Sequence, residues 1–180
     1  MAFSIPQVVH LVTLAMVSMM NSAHGSHHPH LENYLAAPGR PNITEVLMVH
    51  NKARAEVGVA PLRWNTKLVA EASLFSRYLR DKKNCELEDD DSKIPYGINK
   101  KSGGPMTTEK AVEDWVKGKR FYNYATNTCL LHHDCRVYTQ VVWKDTLEVG
   151  CAQTVCDKGT AILTVCFYNP CGNWVGEKPY

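Results

Sequence analysis

The chain has 180 residues, a formal net charge of +2, 44% hydrophobic residues and 21% charged residues. That length allows one domain, and the composition is that of a globular chain, which excludes a disordered polypeptide. So small a charge, with no basic block interleaved with aromatics, excludes the electrostatic footprint of a nucleic-acid partner.

Residues 1–25 read as a signal peptide. The apolar run from Val8 to Met20 is too short to span a bilayer, and Ala23-His24-Gly25 puts small residues at the cleavage positions. Residues 26–41, with Pro29, Pro38, Gly39 and Pro41, are expected to form a flexible lead-in. His27, His28 and His30 there read as a solvated tail rather than a metal site. Residues 42–180 are expected to form the folded domain.

Asn42-Ile43-Thr44 is an N-glycosylation sequon. Asn42 also stands three residues before Glu45, the spacing of a helix capping box. Val46, Val49, Ala53 and Val57 then repeat at helical spacing, and Gly58 is placed to end the helix. His50 lies inside this helix and reads as structural rather than catalytic. Pro61 to Trp64 reads as an extended link. Asn65 or Thr66 caps a second helix, with Leu68, Ala72, Phe75 and Leu79 buried and Arg77, Arg80, Lys82 and Lys83 outside.

Residues 84–106 read as irregular. The acids Glu86, Glu88, Asp89, Asp90 and Asp91 lack the pattern of an EF-hand loop and read as solvated. Gly97 and Gly103-Gly104-Pro105 mark turns. Thr107 or Thr108 starts a third helix with Ala111, Val112, Trp115 and Val116 as its apolar face. Phe121-Tyr122-Asn123-Tyr124 then forms an aromatic loop, suited either to core or to a hydrophobic surface groove. Val137 to Trp143 is rich in β-formers, yet apolar on both faces, and is locally ambiguous. Glu148–Cys156 and Thr160–Tyr168 read as strands joined by Asp157-Lys158-Gly159.

All seven cysteines follow residue 84, and none forms a CxxC pair. With a signal peptide ahead of them, they favour structural disulfides in an oxidising compartment over a zinc ribbon.

Several pieces, taken together and in order, resemble the plant pathogenesis-related protein 1 group of the CAP superfamily. They are His50-Asn51-Lys52-Ala53-Arg54, Leu62-Arg63-Trp64, Pro95-Tyr96-Gly97, Trp115-Val116 and Tyr122-Asn123-Tyr124. They continue with Tyr138-Thr139-Gln140-Val141-Val142-Trp143, Gly150-Cys151-Ala152, Gly172-Asn173 and Pro179-Tyr180. The resemblance spans about residues 43–180. It implies an α+β fold, a disulfide-stabilised three-layer α-β-α sandwich around a central antiparallel sheet, with Tyr138–Trp143 helical. It implies the pairs Cys85–Cys156, Cys129–Cys135 and Cys151–Cys166, leaving Cys171 unpaired: a free thiol, a glutathionylated one, or the link of a dimer. Val137 and the ending Val175–Tyr180 look most like a branch associated with the pistil.

The family's cavity usually presents two His and two Glu, a set able to hold a divalent metal. Residue by residue, those positions fall on Asp91 (or Asp89, counted from Cys85), Ile98, Gly118 and Val137. Three offer no ligand atom, so no metal, no cofactor and no catalytic residue are expected, and compensation by His132 and His133 is disfavoured. The resemblance further implies a secreted, apoplastic defence protein that binds a sterol or other lipid, with Trp115, Phe121, Tyr122 and Tyr124 as candidate loop residues. A pathogen membrane or a receptor are its other expected partners. The alternative is a precursor from which the peptide Pro170–Tyr180 is released at Asn169–Pro170, against a tail that packs Trp174 on the sheet. A hydrolase or metal-dependent enzyme is the third reading.

Overall fold

The first helix, α1 (Ile43–Ala55), begins where Asn42 accepts a hydrogen bond from the Glu45 N–H at 3.4 Å, and Gly58 follows its end at φ +76°. A computed structural model describes residues 40–87, 91–156 and 161–180. The segment read as a signal peptide, nearly all of the expected lead-in with its histidines, Asp89 and the 157–159 link fall outside them.

Asn65 caps α2 (Thr66–Lys83), and Asn84 closes it in the left-handed region at φ 49°. Thr107 caps α3 (Thr108–Val116), which runs into a 3-10 turn at Lys117–Phe121. The short α4 spans Arg136–Val141. The β-forming character of Val137–Trp143 is overridden by packing: at helical spacing Tyr138, Val141 and Val142 all reach the core, which an extended chain would split between two faces.

Four strands form the sheet in the order β1 (Arg63–Trp64), β5 (Glu148–Val155), β6 (Ile162–Asn169), β2 (Gly97–Gly103). β2, β6 and β5 are antiparallel, while β1 runs parallel to β5, so the link read at Pro61–Trp64 contains a short strand. β2 corrects the reading of 84–106 as irregular. Its polar sequence fits a sheet edge, where Lys100 and Lys101 reach Asp91 and Asp114 at 2.7 and 3.3 Å. The aromatic loop is also a hairpin: β3 (Tyr122–Asn123) pairs with β4 (Thr128–Cys129).

Strand alternation builds the three layers. Val149, Cys151, Cys166 and Tyr168 face α1, α3 and α4, while Ala152, Leu163, Val165 and Phe167 face α2. Gly150 is the contact point of α2 on the sheet. A Cβ there would lie 2.6 Å from the Asn65 carbonyl oxygen, so any side chain would drive the helix off the strand. Disulfides join Cys85–Cys156, Cys129–Cys135 and Cys151–Cys166, and Cys171 is free.

Candidate functional site

α4 is held firmly toward its C-terminal end. Gln140, almost fully buried, accepts from the Gly172 N–H at 3.0 Å and donates to Thr146 Oγ1 at 3.2 Å. Gly97 is where the sheet edge meets that amide. A Cβ would overlap Gln140 Oε1, so this glycine serves close approach rather than the turn expected from the sequence. At the C-terminal end of α4, Arg54 from α1 donates to the carbonyls of Val141 (3.0 Å) and Trp143 (2.9 Å). It also donates to Thr146 (2.9 Å) and Ala60 (2.6 Å).

Beside this helix a cavity of about 410 Å³ opens between β2, the start of α4 and the tail, lined among others by Asp91, Ile98, Lys100, Arg136, Val137 and Cys171. Three of the four positions transferred from the family's metal set therefore share one cavity. Gly118 does not line it. It is buried against α4, where an added Cβ would stand 3.0 Å from Tyr138 Cβ. A side chain at this position would press on Tyr138, so α4 packs closely over it.

The donor set does not fit a metal. Ile98 and Val137 carry hydrocarbon, and Asp91 is matched by the Lys100 ammonium at 2.7 Å, with the lysine side chain only 10% exposed. Asp134 at the rim pairs with Arg136 at 3.0 Å, and the guanidinium hydrogen bond holds its carboxyl below the usual range. His133 stacks on Phe121 with ring centroids 3.8 Å apart. Among the described residues no three His, Cys, Asp or Glu side chains converge as a metal-binding group.

Behind the cavity runs a buried polar chain. His50 Nδ1 lies 2.8 Å from the Val46 carbonyl, which can only accept, so Nδ1 carries the proton and Nε2 accepts from Tyr168 Oη at 2.9 Å. Tyr168 Oη in turn accepts from Asn99 at 3.3 Å, and Asn99 also donates to the Val137 carbonyl at 2.9 Å. Burial, aided by the nearby Arg54 charge, lowers His50 from 6.5 to about 4, and burial raises Tyr168. Both groups are neutral at pH 7 and fully partnered, so the chain fixes α1 to the sheet and to α4 without supplying an acid or base.

The folded pKa of His50 lies below the unfolded value, so its contribution is complete above about pH 6.5. It is lost as pH falls toward 4, by up to about 3 kcal/mol. Urea midpoints of the native chain and His50→Gln, compared between pH 7 and 4, isolate this term from the carboxylates that titrate in the same window. Parallel pH profiles would rule it out.

The aromatic hairpin sits on the opposite side of α4. Asn123 Oδ1 accepts from Ala125 N and Thr126 N at its turn, and Tyr122 Oη donates to Asn127 Oδ1 at 2.8 Å. Arg120 lies over the Phe121 ring at 4.6 Å. Tyr124 is exposed at the hairpin's tip. Trp115, expected to join these residues, is instead 4% exposed and belongs to the core, since it closes the buried stripe of α3.

The tail crosses between cavity and hairpin. Pro170 is exposed, Cys171 is half-buried, and Asn173 ties to Thr139 Oγ1 at 2.6 Å and to the Arg136 carbonyl at 2.9 Å. Trp174 does not pack on the sheet. It is 57% exposed, and the indole buried beneath the tail is Trp143, on which Gly172 lies. Asn42 is exposed.

Residues 47–168 match the model of the CAP family, described as the cysteine-rich secretory protein family. The chain belongs to the CAP family. Among relatives of this CAP domain, the STS14 protein of Solanum tuberosum is 54% identical over 138 residues, covering 76% of this chain and 64% of that protein. Pathogenesis-related protein 1 of Arabidopsis thaliana is 44% identical over 137 residues, covering 76% and 81%. Among solved structures, venom allergen-like protein 4 of Schistosoma mansoni aligns with a TM-score of 0.57 at 28% identity, covering 76% of this chain and 92% of that one. NaASP2 with Zn²⁺ aligns at 0.58 and 20% identity, covering 76% and 83%, a likeness of fold alone.

Within this CAP domain, sequence reasoning missed Asn99, Gln140, Tyr168 and Arg54. Arg54 had a readable signal: Val46, His50 and Arg54 follow one another at i, i+4 and i+8, so a charged residue falls on the buried face of α1. Asn99 and Gln140 had none, because their roles depend on elements far apart in sequence.

Proposed function

We propose that this chain is a secreted, non-catalytic defence protein of the pathogenesis-related 1 kind, which binds a sterol or another lipid at the Phe121–Tyr124 hairpin. The observation that carries the non-catalytic part is the cavity chemistry. The donors of a His/Glu set are replaced by Ile98 and Val137, and the remaining carboxylate, Asp91, faces Lys100. The solved relative NaASP2 was crystallised with Zn²⁺, whereas this donor set leaves no three-ligand arrangement for that ion. Secretion is supported by the family's description and by the signal-peptide pattern of residues 1–25. The defence role is supported by the pathogenesis-related relatives.

Phe121, Tyr122 and Tyr124 present aromatic surface on a two-stranded hairpin, with Arg120 and Lys119 beside them, a combination suited to an amphiphile. Phe121→Ser with Tyr122→Ser is expected to reduce sterol extraction from vesicles by about tenfold while leaving circular dichroism intact. Unchanged extraction would remove the hairpin from the reading. Elemental analysis of the same preparation should find no stoichiometric zinc, and roughly one zinc per chain would overturn the non-metal part.

A second reading, release of the peptide Pro170–Tyr180 at Asn169–Pro170, is favoured by two features. Pro170 is exposed, and Cys171 forms no disulfide that would tether the cut peptide. Mass spectrometry of extracellular fluid for that peptide separates the readings.

A further inference from the structure

The tail does more than pass the hairpin; it sits on it. The Tyr180 ring stacks on Tyr124 at 4.7 Å with the planes 8° apart and meets the edge of Tyr122 at 6.3 Å. Tyr124 Oη donates to the Tyr180 main-chain oxygen at 2.6 Å. The Lys178 ammonium lies 4.4 Å from the Tyr124 ring centroid. The approach is fixed from both sides: Asn127 donates to the Glu177 carbonyl at 2.9 Å, and the Lys144 N–H donates to the buried Pro179 carbonyl at 2.7 Å. Part of the aromatic surface that the hairpin would offer to a lipid is thus already taken up by aromatic and cationic groups of the same chain.

A second observation lies under the tail. A cleft of about 170 Å³ is lined by Tyr122, Thr139, Trp143, Asn173, Trp174 and Pro179, among others. Trp143 is buried, and its indole N–H has no acceptor among the described residues. A buried donor without a partner carries an unfavourable desolvation cost that an incoming hydroxyl or carbonyl oxygen would relieve. That is the polar head of a sterol or fatty acyl amphiphile.

We infer that the segment Asn173–Tyr180 is an intramolecular strap that closes the hairpin site, and that lipid binding requires the Lys178–Tyr180 end to lift off Tyr124. The inference rests on the lipid reading of the hairpin. With the strap down, apparent affinity is reduced to the fraction of molecules in which Tyr122 and Tyr124 are open. Lifting the strap uncovers the aromatic face and widens access to the cleft lined by Trp143, whose buried N–H lacks a partner among the described residues. The arrangement also links the two functional readings, because removal of the tail would open the site.

The test uses the full chain with Tyr180→Ala, which keeps Pro179 in place, and with Lys178→Ala, which leaves the aromatic packing intact. Binding is measured by flotation with phosphatidylcholine–cholesterol vesicles, and hydrogen exchange is read across Tyr122–Thr128. Loss of a stacked ring is expected to speed hairpin exchange and tighten vesicle binding by about tenfold, and loss of the cation–π contact by roughly threefold. Faster exchange with equal, measurable binding in all three proteins overturns the strap and leaves the lipid reading standing. Absence of vesicle binding in all three overturns both. Unchanged hairpin exchange in Tyr180→Ala also overturns the strap, since the tail then does not hold the hairpin. If Tyr180→Ala fails to fold, Lys178→Ala decides alone, by the same signs.

Discussion

Replacing Arg54 with methionine is expected to lower the free energy of unfolding by about 4 kcal/mol, one of the two largest losses of any change considered for this domain. Methionine matches the aliphatic stem and fills much of the volume, so the loss is not a cavity effect. It comes from the four carbonyls that the guanidinium satisfies, those of Ala60, Val141, Trp143 and Thr146. Each buried acceptor left without a donor costs about 1–3 kcal/mol, and local relaxation keeps the sum below the total of four. Val141 is the last residue of α4, where the helix dipole concentrates negative potential, so the lost cation weakens the helix a second time. Burial lowers the guanidinium to about 10, still charged at neutral pH, so the native chain buries a charge whose partners are main-chain oxygens. Arg54→Lys is expected to fall between native and Arg54→Met, because an ammonium has three donors and no planar fork. Urea denaturation reads the order. A loss under about 1 kcal/mol in Arg54→Met would show that water replaces the guanidinium.

The same residue shows how much of the fold could be read in advance. The ends of α1 were legible because their signals are local: Asn42, Glu45 and Gly58 each act on chain within a few residues. The stripe of α2 was legible for the same reason, although Ser76 rather than Phe75 completes its fully buried face. β2 was not, because nothing in Gly97–Gly103 alternates apolar with polar. Its pairing is supplied by β6, whose residues Ile162 to Tyr168 lie 59 to 71 positions after their partners. Helix α4 was legible only through family resemblance, since its β-forming side chains are overruled by Arg54 and the core.

The candidate site divides in the same way. Loss of ligand atoms at Ile98 and Val137 is a property of residue type and needs no structure. That Lys100 occupies Asp91 is invisible to motif transfer, because the lysine lies on an edge strand that the sequence does not announce. Residue type also does not say that Trp143, rather than Trp174, is the indole beneath the tail. Aromatic content alone identifies what can be buried, whereas Gly172, with no side chain, decides which indole the tail can lie on.

The second large effect separates the three disulfides. Removing Cys85–Cys156 as the double alanine variant is expected to cost about 4 kcal/mol, because the bridge closes a loop with a sequence separation of 71. It joins the end of α2 to the end of β5, two layers otherwise held there by apolar packing around Leu79 and Leu163. Cys151–Cys166 spans 15 residues and Cys129–Cys135 spans 6, for which chain entropy gives about 3 and about 2 kcal/mol. The middle value should be further reduced in practice. Cys151 and Cys166 are opposite one another in the β5–β6 register, so the hairpin ladder already holds the two chains together in the folded state and in compact unfolded states. Double replacement is needed throughout, since a single alanine leaves a thiol free to pair with Cys171. Equilibrium urea unfolding of the three double variants should therefore rank Cys85–Cys156 first. If Cys129–Cys135 proved the most costly instead, its value would lie in the native state, as the clamp between the aromatic hairpin and α4, and loop entropy would not be the governing term.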